Sequence, residues 1–308
     1  MKTTLSFKIN LFIYQVLRRK RCYFSIALLG FLAVGYEFAE DRLSDRQLIT
    51  SLSNNPYGFV AKVKHFIQSD RPMRYVEIGK DDRPLIVFIH GAPSSSAFWL
   101  SLLRDSLLLR KAKLLAVDRP GYGYSGYGKP EVSVKKQAAL IATILKEKRK
   151  THRKIIVDGS SYGGTVTSRL AMDYPELVDG ILLQSASTEP GAETTYWISY
   201  PTSHWSLKWL IPGSIQVANS EKLSHKTQLE AMTKGWERIR SACILLHGED
   251  DTLIDPSNLA YARERLRNAR VLESRLFAGS KHDLLWTQRQ ALVQSLLKLV
   301  DLAKPSGS

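Results

Sequence analysis

From Arg74 onward, apolar residues cluster in short continuous runs, separated by longer stretches in which they recur every three or four positions. The short runs predict strands, several of them buried on both faces, and the periodic stretches predict amphipathic helices. Strands are predicted over residues 74–78, 85–89, 113–117, 155–157, 180–183, 242–246 and 271–277. Helices are predicted over 94–110, 132–149, 164–174, 256–266 and 284–302. This alternation predicts the α/β class, a mostly parallel sheet with helices on both faces. Ligands of such sheets sit beyond the carboxyl ends of the strands. Residues 40–73 form a polar lead-in with helical patterns over 45–53 and 59–67, broken by Asn54-Asn55-Pro56. Residues 186–240 interrupt the rhythm and hold Trp197, Trp205, Trp209 and Trp236 together with Tyr196 and Tyr200. Such an insertion is either a lid over the site or a helical decoration with its own small core, and both can hold at once.

One stretch joins this pattern to chemistry. Residues 154–164 read KIIVDGSSYGG, an apolar run passing into Gly159-Ser160-Ser161-Tyr162-Gly163 and then into a predicted helix. Strand, sharp turn and helix are the setting in which G-x-S-x-G marks a nucleophile. A turn that forces a serine into strained dihedrals leaves no room for side chains two positions to either side. Around Ser161 those flanks are Gly159 and Gly163, whereas around Ser160 they would be Asp158 and Tyr162. Ser161 is therefore the candidate nucleophile, against the plainer alternative of an ordinary Gly/Ser turn.

Composition changes the picture in two places. The 308 residues are ordinary in hydrophobic (44%) and charged (24%) content, but the net charge of +15 is high and favours contact with anionic surfaces. No nucleic-acid recognition motif accompanies it, so nucleic acid is not expected as a partner, and the basic run 146–154 fits a helix C-terminus. The two cysteines, Cys22 and Cys243, imply neither a disulfide framework nor a metal-ligand spacing. The second place is the amino terminus. Arg18-Arg19-Lys20-Arg21 precedes an uncharged apolar run, residues 22–36. Three readings compete for residues 1–39: an uncleaved signal anchor held by the basic cluster, a cleaved secretory signal with Ala33-Val34-Gly35 as a weak site, or a soluble amphipathic helix. The poor cleavage site favours the anchor, which would place the catalytic part outside the cytoplasm, on the periplasmic side in a bacterium.

A serine hydroxyl needs a base, and the base needs a group that fixes its tautomer. Downstream candidates lie at strand ends: His247, Glu249, Asp250, Asp251 and Asp255 after one strand, and His282 after the last. At this point the chain resembles the α/β-hydrolase superfamily, in its capped esterase- and peptidase-like branch, over roughly residues 74–302. Five separated motifs carry the resemblance in order: His90-Gly91-Ala92-Pro93, Asp118-Arg119-Pro120-Gly121-Tyr122-Gly123-Tyr124-Ser125, the Gly159–Gly163 elbow, Gly248-Glu249-Asp250-Asp251 and Gly279-Ser280-Lys281-His282. The resemblance implies Asp251 as the acid, His282 as the base, and the backbone N–H groups of Ala92 and Tyr162 as the oxyanion hole. It casts His90 and His247 as structural and Asp118 as a turn-forming acid. A serine at the elbow argues against the haloalkane dehalogenase and epoxide hydrolase branches, which use aspartate there.

These residues together imply a serine hydrolase forming an acyl-enzyme, with no metal or organic cofactor. A carboxylic ester of a small or lipophilic acyl compound is the leading substrate. An aminopeptidase-like enzyme, a carbon–carbon bond hydrolase and an acyltransferase stay open, because the same triad serves them all. A non-catalytic, membrane-tethered binding module is the alternative from another class. The expected layout is an N-terminal anchor or signal (1–39), a lead-in (40–73) and a hydrolase domain (74–308) with a lid at about 186–240.

Overall fold

A computed structural model describes residues 42–192 and 211–305. The N-terminal basic and apolar segment lies outside these residues, as do Tyr196, Trp197, Tyr200, His204, Trp205 and Trp209 of the insertion. The described residues form a sheet of eight strands: β1 (Lys62–Gln68), β2 (Arg71–Ile78), β3 (Leu85–Ile89), β4 (Lys113–Asp118), β5 (Ile155–Ser160), β6 (Gly180–Gln184), β7 (Ala242–Gly248) and β8 (Val271–Phe277). Their order is β1-β2-β4-β3-β5-β6-β7-β8. The β1–β2 and β2–β4 pairs are antiparallel and all later pairs are parallel. The helices are α1 (Asp45–Ser53), α2 (Leu100–Leu103), α3 (Ser106–Lys111), α4 (Val134–Arg149), α5 (Tyr162–Asp173), α6 (Gly213–Glu230), α7 (Ser257–Arg265), α8 (Leu284–Thr287) and α9 (Arg289–Leu302).

The continuous apolar runs serve two cores because successive strand side chains point to opposite faces. Leu85, Val87 and Ile89 of β3 join Val157, Ile141, Leu145 and Leu170 on one face. Ile86 and Phe88 join Ile156, Leu182, Leu292 and Leu296 on the other. Every residue of β3 through β7 is buried. In a parallel sheet this long, the carboxyl ends of β3 to β8 share one rim.

Three sequence expectations change. The helix expected over 59–67 is instead strand β1, which turns into β2 through Ser69 and Asp70, both at positive φ (50° and 60°). Two consecutive positive-φ residues are the hairpin geometry usually signalled by Asn-Gly, and that signal is missing here. Val63 and Phe66 pack against opposite faces of the sheet, while Lys62 and Lys64 point outward and keep this edge from pairing further. The sheet thus begins before Arg74. The single helix expected over 94–110 is a 3-10 turn and two short helices, because the Asp105 carboxylate caps Leu107 and Leu108 N–H at 2.9 and 3.0 Å. Within the insertion, Trp236 does not form a separate small core: it is buried in the main core and meets Tyr261 edge-on at 6.3 Å.

Candidate active site

Strand β5 delivers Ser161 at a sharp turn, with φ 54° and ψ −124°. A non-glycine residue there is strained and persists only if its surroundings hold it. Three backbone bonds do so: Ser161 N–H donates to Gln184 O (3.0 Å), and the Ser161 carbonyl accepts from Gly164 (2.9 Å) and Ser187 (3.2 Å). The flanking glycines have the expected reason. A Cβ on Gly163 would strike the carbonyl oxygens of Ile89 and His90, and one on Gly159 would lie 2.6 Å from the Gly163 oxygen while colliding with Thr167 Oγ1. Those obstacles are mostly backbone and cannot step aside.

Asp251 follows β7, and His282 follows β8. The two loops are tied together: Asp250 N–H donates to Ser280 O at 2.9 Å, and Gly248 packs so tightly on the Ser280–Lys281 backbone that a Cβ would not fit. Asp251 and His282 meet, with His282 Nδ1 2.7 Å from Asp251 Oδ2. Asp251 Oδ1 accepts Leu253 and Ile254 N–H, both at 3.0 Å, and His247 Nε2 lies 3.4 Å from Oδ2. Burial raises the Asp251 carboxyl, but the hydrogen bonds from His247 and His282, the His282 charge and the Ile254 N–H outweigh it. The group is held well below the usual carboxylate range. It is an anion whose partner atom is His282 Nδ1, which leaves Nε2 for proton transfer. Ser161 stands at the end of β5, two strands from β7 on the same rim.

The remaining described histidines take structural posts. His90 is fully buried; its Nδ1 donates to Gly91 O (2.7 Å) and its Nε2 accepts Arg119 N–H (3.0 Å). Burial, with Arg119 beside it, pushes its pKa well down, so it is neutral. His65 pairs with Asp45, His152 with Arg83 O, and His225 with Thr165. Asp118 is a turn-forming acid as expected: it accepts Ser96 and Tyr124 N–H (2.8 and 2.9 Å) and pairs with buried Arg74 at 2.9 Å.

The segments that carry the two expected oxyanion donors, Tyr162 and Ala92, lie beside the serine. Tyr162 begins α5, directly after Ser161. Gly91, just before Ala92, approaches so closely that a Cβ built on it would lie 3.0 Å from Ser161 Cβ. Among the described residues no cluster of three or more His, Cys, Asp or Glu could hold a metal ion.

Two buried groups escaped the sequence. Asp158, three residues before Ser161, accepts both its bonds from Gln184 Nε2 (2.9 and 3.0 Å), and burial pushes its carboxyl up to about 8 against the lowering effect of Gln184. Arg119 and Glu221 form a fully buried pair at 2.6 Å. Only the loop motif containing Arg119 was visible, and nothing marked Glu221 as its partner.

A family model described as the alpha/beta hydrolase fold matches residues 84–209. Curated relatives include Epoxide hydrolase 1 of Caenorhabditis elegans, 26% identical over 185 residues that span 58% of this chain and 43% of that protein. Pimeloyl-[acyl-carrier protein] methyl ester esterase of Wigglesworthia glossinidia brevipalpis is 34% identical over 102 residues, 33% of this chain and 36% of that protein. The matches thus span less than half the length of these two relatives. Among solved structures, a bacterial membrane phospholipase A superposes with a TM-score of 0.62 at 20% identity, over 92% of this chain and 98% of that one.

Proposed function

The chain has the α/β-hydrolase fold, and we propose that it is a serine hydrolase working through an acyl-enzyme on carboxylic esters. The observation that supports this best is the strained Ser161 turn on the same sheet rim as the Asp251–His282 pair. In the proposed reaction Ser161 Oγ attacks the substrate carbonyl carbon and its proton passes to His282 Nε2. Asp251, kept anionic, stabilises the imidazolium and holds its tautomer. The carbonyl oxygen becomes an oxyanion, met by the N–H groups of Ala92 and Tyr162. Collapse of the tetrahedral species breaks the ester C–O bond, and the leaving alcohol takes the proton from His282. Water then repeats the sequence on the acyl-serine and regenerates Ser161. A serine in the nucleophile position distinguishes this chemistry from the aspartate-dependent branches of the fold. The esterase among the relatives, acting on a methyl ester by its name, agrees with an ester substrate.

A fluorophosphonate probe tests the proposal. The full-length protein should be labelled and Ser161→Ala should not; an unlabelled wild type refutes it. We also propose that residues 1–39 tether the chain to a membrane, on the strength of the Arg18–Arg21 cluster followed by an uncharged apolar run. Among the described residues no helix is long and apolar enough to cross a bilayer.

A further inference from the structure

Arg119 is buried, and all five of its guanidinium N–H groups find acceptors. Nε donates to His90 O (2.8 Å) and Nη2 to Gly91 O (3.0 Å). Nη1 donates to Gln137 Oε1 (2.9 Å) and Glu221 Oε1 (2.6 Å), and Nη2 also donates to Glu221 Oε2 (3.2 Å). Glu221 is equally saturated. Its Oε1 also accepts Gln137 Nε2 (2.8 Å), and its Oε2 accepts the Tyr122 hydroxyl (2.7 Å). A buried ionic network satisfied at every donor and acceptor is rigid.

What this network holds is the oxyanion turn. The Gly91 carbonyl is gripped twice, by Arg119 Nη2 and by His90 Nδ1. The Gly91–Ala92 peptide is trans. In a planar trans peptide the N–H points opposite to the C=O, so fixing the Gly91 oxygen fixes the direction of the Ala92 N–H. The guanidinium also lies 4.7 Å from the Tyr122 and Tyr162 ring centroids, and Tyr162 supplies the other proposed donor. Glu221 comes from a distant part of the chain, helix α6 of the insertion. The same helix places His225 4.5 Å from the Tyr162 ring and 3.0 Å from Thr165 Oγ1, and Val217 against Gly121. Residues 217, 221 and 225 form one stripe at a four-residue spacing.

We propose that Arg119 and Glu221 are positioning residues through which helix α6 of the insertion sets the orientation of the Ala92 oxyanion donor. The proposal rests on the serine-hydrolase function above. It ties a segment of the cap to the transition state and not to substrate binding alone. Interactions made only with the transition state change kcat and leave KM in place.

The test uses the full chain, p-nitrophenyl butyrate as substrate, and an alkyl trifluoromethyl ketone as inhibitor. Ser161 adds to the ketone carbon, its proton passes to His282, and the ketone oxygen becomes an alkoxide in the oxyanion hole. Arg119→Lys keeps the charge but loses the planar fork. It should lower kcat by roughly 30-fold to 100-fold, somewhat less than deletion of a donor outright, with KM within about twofold. The ketone inhibition constant should rise by the same factor as kcat falls. Glu221→Gln should show the same pattern at about one tenth of wild-type kcat. Folded variants, by circular dichroism, with unchanged kcat, or with a raised KM and an unchanged ketone constant, would overturn the proposal. Should Arg119→Lys fail to fold, Tyr122→Phe decides, since it removes only the hydroxyl on Glu221 Oε2. A fall in kcat of about threefold with KM unchanged supports the positioning role, and no fall overturns it. Wild type labelled by fluorophosphonate with insensitive variants sinks this inference alone; unlabelled wild type sinks the hydrolase function and this inference with it.

Discussion

Asp158→Asn should remove a pH dependence from the stability of the fold. Asp158 is completely buried in the central strand β5, with Gln184 Nε2 as donor to both carboxyl oxygens. Its folded-state pKa is raised from 3.8 to about 8, chiefly by burial. Between those two values the unfolded chain carries the ionised carboxylate and the folded chain the protonated acid, so the folded state binds one more proton. Stability therefore falls as pH rises through this window. Each pH unit changes the balance by about 1.36 kcal/mol. Asparagine has a similar shape and does not titrate, so the difference between variant and wild type isolates this one group. Urea unfolding followed by tryptophan fluorescence at pH 5, 6 and 7 gives both curves. The stability of Asp158→Asn relative to wild type should climb by about 2.7 kcal/mol from pH 5 to pH 7. Parallel curves across that range would show that the carboxyl is already ionised in the fold, and the burial argument would fail.

Three further outcomes follow from the site. Gly163→Ala, whose added methyl meets the Ile89 and His90 carbonyl oxygens, should abolish fluorophosphonate labelling or solubility. Gly279→Ala, with φ 68° and nothing within 4 Å, should cost about 1 kcal/mol in urea and keep labelling; equal damage at both positions would contradict the steric account. Asp251→Asn removes the anion paired with His282 Nδ1 and should lower kcat by about 10³- to 10⁴-fold with KM little changed, measured on p-nitrophenyl butyrate. Fractionation of cells should find the full-length protein in membranes and a chain lacking residues 1–39 released from them; a soluble full-length protein with an intact amino terminus refutes the tether.

What could be read from the chain divides along a physical line. The β5 turn was legible because its requirement is local: a strained serine needs small residues two positions away, and Gly159 and Gly163 stand there. The parallel strands were legible because burial on both faces removes polar residues from a run such as Leu85–Ile89. Strand β1 was not. An edge strand only partly covered on each face mixes Lys62, Lys64 and His65 with Val63, Phe66 and Ile67, a pattern that also fits a helix. Its hairpin turn is built by Ser69 and Asp70 without glycine. The break at Asp105 was hidden because a helix cap placed between two leucine-rich stretches reads as one surface-exposed polar position. Arg119 and Glu221 lie 102 positions apart, and a single ion pair between a loop and an inserted helix leaves no period along the sequence. For the same reason Gln184 gave no sign that it would shelter the Asp158 carboxyl.

Among the described residues strand β8 has β7 as its only partner in the sheet, and Arg275 and Leu276 on it are open to solvent. The imidazole therefore hangs from the selvage of the fabric while the serine is woven into its middle. Amide hydrogens along β8 should exchange with deuterium sooner than those of β5, because fraying from a margin needs less free energy than global opening. Each such excursion would take His282 away while leaving the serine turn intact, so loss of turnover on warming would precede loss of the fold.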